Sequence, residues 1–228
     1  MGSHIEGKPL TTSDYLSWHL IDLPGHGKTK QDAGLQDLLD YLDGLQTPFH
    51  LVGYSMGGRV AQKLAFHPNC RSLTLMSSHT LFDTQELEER MIFEGNLKKQ
   101  LETLPLRDFV ANFYSSSLFS SLKRRKRLFE AYLLRREQLD KESLKHALDT
   151  LSVETLKSNL PTCPVLGLYG MLDLKYQKLY AKLPPSVNIA TVPSSGHVVH
   201  LENTTFCIKI LEQFIRDIDN DMGNMRTL

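Results

Sequence analysis

The sequence predicts an α/β protein: a mostly parallel, doubly wound sheet with a helical insertion over one of its edges. Three observations predict it. Short apolar runs alternate with amphipathic helical segments through residues 17–76 and again through 165–217. Between them, residues 84–158 are charged, helix-like and nearly free of strand signals. Finally, Gly53-Tyr54-Ser55-Met56-Gly57 sits between an apolar run and a helical run, where a parallel strand turns into its crossover helix.

Taken in order, residues 17–22 (Ser-Trp-His-Leu-Ile-Asp) read as a buried strand, stopped by Pro24 and Gly25. Residues 32–43 read as a helix with Leu35, Leu38, Leu39 and Leu42 on one face. A strand over 48–53 and a helix over 56–67 flank Ser55, and residues 72–76 form the next strand, ending in Ser77-Ser78. Strand signals return at 165–169 and 187–192, joined by a helix over 175–183. The last helix carries Phe206, Cys207, Ile210, Leu211, Phe214 and Ile215 as a core stripe, with fraying expected after residue 218. The chain therefore divides into a first core part (1–83), an insertion (84–158) and a second core part (159–228). An insertion between the third and fourth visible strands lies above the strand C-termini, where such sheets bind ligands, and so makes a lid.

The chain has 228 residues, enough for one sizeable buried core, and its 41% hydrophobic and 23% charged composition is that of an ordinary globular protein. A net charge of zero removes any electrostatic case for nucleic acid or an anionic membrane as partner. No apolar run approaches the ~20 residues of a membrane helix, so no stable membrane insertion is expected. The cysteines, Cys70, Cys163 and Cys207, are scattered, odd in number and without metal-ligand spacing, so neither a disulfide framework nor a metal site is expected, and a reducing cytoplasm is the expected compartment. No cofactor motif or phosphate loop is present. The expected partner is a small molecule.

The chemistry is concentrated at Ser55. A serine on a tight strand-to-helix turn projects its hydroxyl above the sheet, and flanking glycines relieve the crowding there. The next amide, Met56 N–H, opens a helix and can donate to a developing oxyanion. A serine hydroxyl needs a histidine to take its proton, and the histidine needs a carboxylate to hold its tautomer. On such a sheet the chain order is serine, acid, histidine. Asp173 follows the strand at 165–169 and His197 follows the strand at 187–192, which brings both to the rim that carries Ser55. Asp149 and Asp140 are alternative acids. Among the other histidines, His26, His67 and His79 read as turn or helix-end residues, and His200 as either a supporting or a surface residue.

Arg59, one turn after Ser55, places a cation near the nucleophile and suits a carboxylate-bearing substrate; the alternative is a structural ion pair. The basic run 123–127 reads as a solvated face of the insertion rather than a nucleic-acid patch.

The segments Leu23-Pro24-Gly25-His26-Gly27, Gly53 to Arg59, Gly170-Met171-Leu172-Asp173-Leu174-Lys175-Tyr176 and Gly196-His197-Val198-Val199-His200-Leu201-Glu202-Asn203 resemble the α/β-hydrolase superfamily. Together they most resemble its 2-succinyl-6-hydroxy-2,4-cyclohexadiene-1-carboxylate synthases, which act in menaquinone biosynthesis. The resemblance covers about residues 17–217. It implies a Ser55–His197–Asp173 triad that removes a proton and eliminates pyruvate from 2-succinyl-5-enolpyruvyl-6-hydroxy-3-cyclohexene-1-carboxylate, with no cofactor. It also implies substrate contacts from Tyr54, Arg59 and, in the insertion, Arg90 and Arg136. Phe113-Tyr114 and Leu118-Phe119 resemble a cap segment that family members write with Trp-Tyr and Pro-Leu-Phe, and Thr204 replaces the proline usual after Glu-Asn. The larger departure is at the start. The superfamily places another strand and a His-Gly loop ahead of residue 17, between the strands at 17–22 and 48–53, and that loop supplies a second oxyanion donor. Met1-Gly2-Ser3 looks like the tail of such a loop, so N-terminal strands are expected to be missing. Two other readings stand beside the synthase: a serine carboxylesterase or thioesterase on the same scaffold, and a truncated, weakly active or non-catalytic remnant.

Overall fold

A computed structural model describes residues 8–12, 14–29 and 32–225. Four parallel strands, β1 (Phe49–Tyr54), β2 (Cys70–Met76), β3 (Val165–Gly170) and β4 (Val187–Val192), form one sheet in the order β1-β2-β3-β4. The helices between them are α1 (Leu35–Gly44), which precedes β1, α2 (Met56–Leu64), α3 (Thr84–Thr103), α4 (Leu106–Ser115), α5 (Ser120–Arg124), α6 (Lys126–Arg136), α7 (Lys141–Thr150), α8 (Val153–Leu156) and α9 (Leu174–Tyr180). Two more, α10 (Val199–Glu202) and α11 (Thr204–Met225), close the chain.

The sheet is wound on both faces because its strands are apolar on both. Leu73 and Leu75 of β2, Val165 of β3 and Val187 of β4 pack on Ala61 and Ala65 at α2. One residue out of phase, Met76, Leu168 and Val192 pack on Cys207 and Leu211 of α11. The alternation is the period-two geometry of a strand. Helices α3–α8 lie between β2 and β3 in sequence and bury a core of their own around Leu101, Val110, Tyr114, Leu122 and Tyr132. That core includes Val198, the residue after His197, so the insertion rests directly on the loop following β4. No helix among the described residues is long and apolar enough to cross a membrane.

Two expectations are corrected. Residues 17–22 are not a strand: they run without regular secondary structure, and β1 is paired only with β2. An apolar run becomes a strand only when a neighbour completes its hydrogen bonds, and the described residues supply none. In place of a strand, a cavity of about 680 Å³ lies between this segment and β1, lined by Trp18, Leu20, Leu42, Phe49, Val52 and His200 among others. Met1-Gly2-Ser3 lie outside the described residues. Second, the chain does not fray at 218. Helix α11 continues to Met225, and Asp219 anchors it by accepting from Arg71 at 3.1 Å and Tyr15 at 3.3 Å and by pairing with His50 at 3.3 Å.

Candidate active site

Ser55 occupies the turn between β1 and α2 with φ 51° and ψ −116°, a conformation that non-glycine residues avoid. Several contacts hold it there. Ser55 N–H donates to Met76 O at 2.9 Å, Gly58 N–H donates to Ser55 O at 3.1 Å, and Ser78 Oγ donates to Ser55 O at 2.8 Å. The turn also needs Gly53, because a Cβ there would stand 2.4 Å from Gly57 O. Met56 begins α2, so its N–H is one of the helix's unsatisfied first-turn donors, available beside the serine.

The acid and base loops are clamped to each other. A Cβ on Gly170 would meet Gly196 O at 2.1 Å, so only glycine lets the chain after β3 come this near the chain after β4. Leu172 N–H donates to Ser195 O at 2.9 Å across the same junction. The result is a continuous hydrogen-bonded chain. His197 Nε2 is 3.3 Å from Ser55 Oγ, and His197 Nδ1 is 3.0 Å from Asp173 Oδ2. The second carboxylate oxygen, Asp173 Oδ1, accepts Tyr176 N–H at 3.2 Å and caps α9. Asp173 and His197 are both buried. The imidazole is walled by Tyr54, Phe119 and Tyr176, with ring centroids at 5.3, 5.7 and 4.9 Å. Burial pushes the His197 pKa below its ordinary value, against the raising effect of Asp173. The ring is therefore a free base at neutral pH, able to accept the serine proton. The alternative acids are elsewhere: Asp140 caps α7 through Ser143 N–H at 2.7 Å, and Asp149 pairs with Lys98.

The arginines are each engaged. Arg59, 5% exposed, donates through Nη1 to Glu94 Oε1 at 3.1 Å, and Arg90 Nε donates to the same oxygen at 2.8 Å. Glu94 Oε2 accepts Val153 N–H at 2.8 Å. Arg59 is thus an ion pair tying α2 to the insertion, the alternative weighed for it above. Two guanidinium groups share one carboxylate, so the cluster keeps a surplus positive charge. Burial, then the neighbouring Arg90, lower the Arg59 pKa to about 10. Arg136 lies deeper. It stacks 3.6 Å above the Tyr132 ring and donates to Tyr114 Oη at 3.3 Å, and burial lowers it to about 9. Tyr54 is shared between these regions. Its ring meets His200 edge-on at 4.6 Å as well as His197, and burial raises its hydroxyl pKa well above the ordinary value. His200 is fully buried, so of its two readings the supporting one fits the structure.

Three positioning residues went unassigned in the sequence. Glu202, buried, accepts Gly196 N–H at 3.1 Å and Val198 N–H at 3.2 Å, the amides on either side of His197, and also the hydroxyl of Ser121 in the insertion. Tyr180 accepts Ser78 N–H at 3.0 Å and donates to Leu75 O at 2.9 Å, bracing the serine pair beneath the nucleophile turn. Arg125, within the basic run, donates to Ser194 O and to Glu202 O, so that part of the run grips the histidine loop while its neighbours face solvent. A carboxylate five residues past His197 was a visible signal for Glu202. The other two depend on contacts far apart in sequence.

A serine on a strand-to-helix turn, an aspartate after β3 and a histidine after β4, with a helical insertion between β2 and β3, is the arrangement of an α/β-hydrolase fold. The chain belongs to the alpha/beta hydrolase family, whose model matches residues 8–208. Among named relatives it is 31% identical over 211 residues to the 2-succinyl-6-hydroxy-2,4-cyclohexadiene-1-carboxylate synthase of Citrobacter koseri, covering 86% of this chain and 82% of the relative. The synthase of Photorhabdus laumondii is 26% identical over 215 residues, covering 86% and 75%. Among solved structures, MenH from S. aureus superposes with a TM-score of 0.70 at 24% identity, covering 87% and 83% of the two chains. An esterase from Thermogutta terrifontis superposes with a TM-score of 0.73 at 17% identity, covering 95% and 86%. At these identities the solved structures speak to the fold.

Proposed function

We propose that the protein is a carbon–oxygen lyase that eliminates pyruvate from 2-succinyl-5-enolpyruvyl-6-hydroxy-3-cyclohexene-1-carboxylate. Three features support the reading: the synthase relatives, the hydrogen-bonded Ser55–His197–Asp173 chain, and the guanidinium pair one helical turn beyond Ser55. The observation that carries it is this last juxtaposition, because an anionic substrate is attracted by the surplus charge of Arg59 and Arg90 around Glu94.

In the proposed reaction His197 Nε2 accepts the Ser55 hydroxyl proton, and the serine oxygen removes a ring proton of the substrate. The electron pair of that C–H bond forms one ring double bond of the diene, and the existing ring double bond shifts by one carbon toward the departing oxygen. The C–O bond to the enolpyruvyl group breaks, and its electrons leave on the pyruvate enolate, which is protonated on carbon. Asp173 stabilises the imidazolium formed in passing. The Met56 N–H faces negative charge developing near the serine. Arg90 holds a carboxylate, and Arg59 keeps Arg90 and Glu94 in register.

Carboxyl-ester hydrolysis is the second reading. It is favoured by the apolar wall of Tyr54, Phe119 and Tyr176 around His197, which suits an acyl chain. Incubation with the enolpyruvyl precursor, with pyruvate measured by a coupled assay, alongside a p-nitrophenyl ester series, separates the two. Pyruvate release exceeding ester turnover supports the lyase; ester turnover without pyruvate release rejects it.

A further inference from the structure

Cys70 and Cys163 are 93 positions apart in sequence, yet both pack on one core cluster. Leu73 of β2 is level with Val165 of β3, with Leu73 N–H donating to Pro164 O at 3.0 Å. Cys163 lies in the bend just before β3. Counting alone would set Cys70 three steps back and on the opposite face. A bulge removes the mismatch. Between β1 and β2 the register runs Phe49↔Cys70, His50↔Ser72 and Leu51↔Leu73, so Arg71 is the extra residue. Cys70 then stands two steps before Leu73, on the side of β2 that carries Leu73. Both side chains pack against the cluster built from Leu73 and Val165. Neighbouring strands are about 4.8 Å apart, inside the roughly 4.4–6.8 Å that disulfide-linked Cα atoms span. Both residues are half-buried free thiols, Cys70 Sγ donates to Ser72 O at 3.5 Å, and each thiol perturbs the other's ionisation.

We infer that Cys70 and Cys163 are a redox site, a dithiol that hydrogen peroxide converts to an intramolecular disulfide and a thiol reductant restores. The interaction of the two thiols lowers the Cys163 pKa and raises that of Cys70, which makes Cys163 the attacking thiolate. Its sulfur displaces water from the peroxide as the O–O bond breaks, leaving a sulfenic acid. The Cys70 sulfur then attacks the Cys163 sulfur, the S–O bond breaks, and the oxygen leaves as water with the Cys70 proton. In balance, two thiols and one peroxide give one disulfide and two waters. The closed ring contains β2 and the whole of α3–α8, so oxidation ties the start of β2 to the segment that leads from the insertion into β3. By constraining the unfolded chain it stabilises the fold.

The test treats reduced full-length protein with hydrogen peroxide and reads its intact mass, free thiols and peptide map. The expected result is a mass lower by two hydrogens, a fall from three reactive thiols to one in denaturant, and a linked peptide pair containing Cys70 and Cys163. Dithiothreitol reverses all three changes, and the thermal midpoint of the oxidised form is higher by several degrees. Cys207→Ser retains the cross-link and Cys163→Ser loses it. Oxygen addition to either cysteine without a cross-link, a link involving Cys207, or a link between molecules overturns the inference.

Discussion

The Glu202 carboxylate accepts the Gly196 amide at 3.1 Å, and so the residue that fixes the His197 loop comes from the short helix just beyond it. With Val198 N–H at 3.2 Å on its other oxygen, it spans His197 like a staple. Replacing Glu202 with Gln turns one of these acceptors into a donor facing a donor. An unsatisfied buried amide costs about 1–3 kcal/mol. Glu202→Gln is expected to lower kcat about tenfold or more with a smaller change in KM, and to lower Tm. Steady-state kinetics and thermal unfolding check this, and an unchanged kcat would remove Glu202 from the positioning scheme.

The turn that presents Ser55 is held against its conformational preference, with φ 51° at a residue bearing a Cβ. Such strain is worth about 1–3 kcal/mol, and glycine relieves it. Ser55→Gly is expected to raise Tm while abolishing turnover, whereas Ser55→Ala abolishes turnover with the strain retained. Calorimetry of the two variants distinguishes them; equal midpoints would show that the strain is not stored at this residue.

Arg59 and Arg90 share Glu94 but are not equivalent. Arg59 is buried, while the Arg90 side chain keeps 30% exposure. Breaking a buried ion pair from one side costs about 3–5 kcal/mol, reduced here because Glu94 retains Arg90 and the Val153 amide. Arg59→Gln is therefore expected to lower both Tm and kcat/KM. Arg90→Gln is expected to raise KM for the enolpyruvyl substrate about tenfold, with little change in Tm and little effect on a neutral ester. A parallel loss on both substrates from Arg90→Gln would mean that it does not meet a carboxylate.

Acid stability follows in part from the buried His26 and His200. Burial lowers His26 to about 4 and His200 to about 3, both from an unfolded value near 6.5. Between pH 6.5 and about 4 the unfolded chain therefore binds protons that the folded one excludes. Folding stability is full above pH 6.5 and falls as pH drops through this window. Each histidine contributes up to about 1.4 kcal/mol per pH unit. Denaturant titrations at a series of pH values check it, with His200→Gln expected to flatten the slope by about one proton.

Much of this organisation was legible in the sequence because it is local. The strands at β1 to β4 announced themselves as apolar runs, and Ser55, Asp173 and His197 each follow a strand end, so chain order and topology alone bring them to one rim. What stayed hidden depends on partners. The run at residues 17–22 has a strand's composition but no neighbour to pair with, and β propensity without a ladder does not make a strand. Arg59 looked like a free clamp because Glu94 is 35 positions away. The proximity of Cys70 and Cys163 needed a bulge that no composition reveals. The persistence of α11 past residue 218 rests on Asp219 meeting Arg71 and His50, contacts made only once the sheet exists.

The central claim is that the Ser55–His197–Asp173 chain performs the elimination. Its most direct test is single-turnover pyruvate release from the enolpyruvyl substrate by the unaltered protein and by Ser55→Ala. The account predicts release by the first and a rate lower by about a thousandfold or more in the second, the scale of losing a triad member. Equal rates for the two proteins would contradict it.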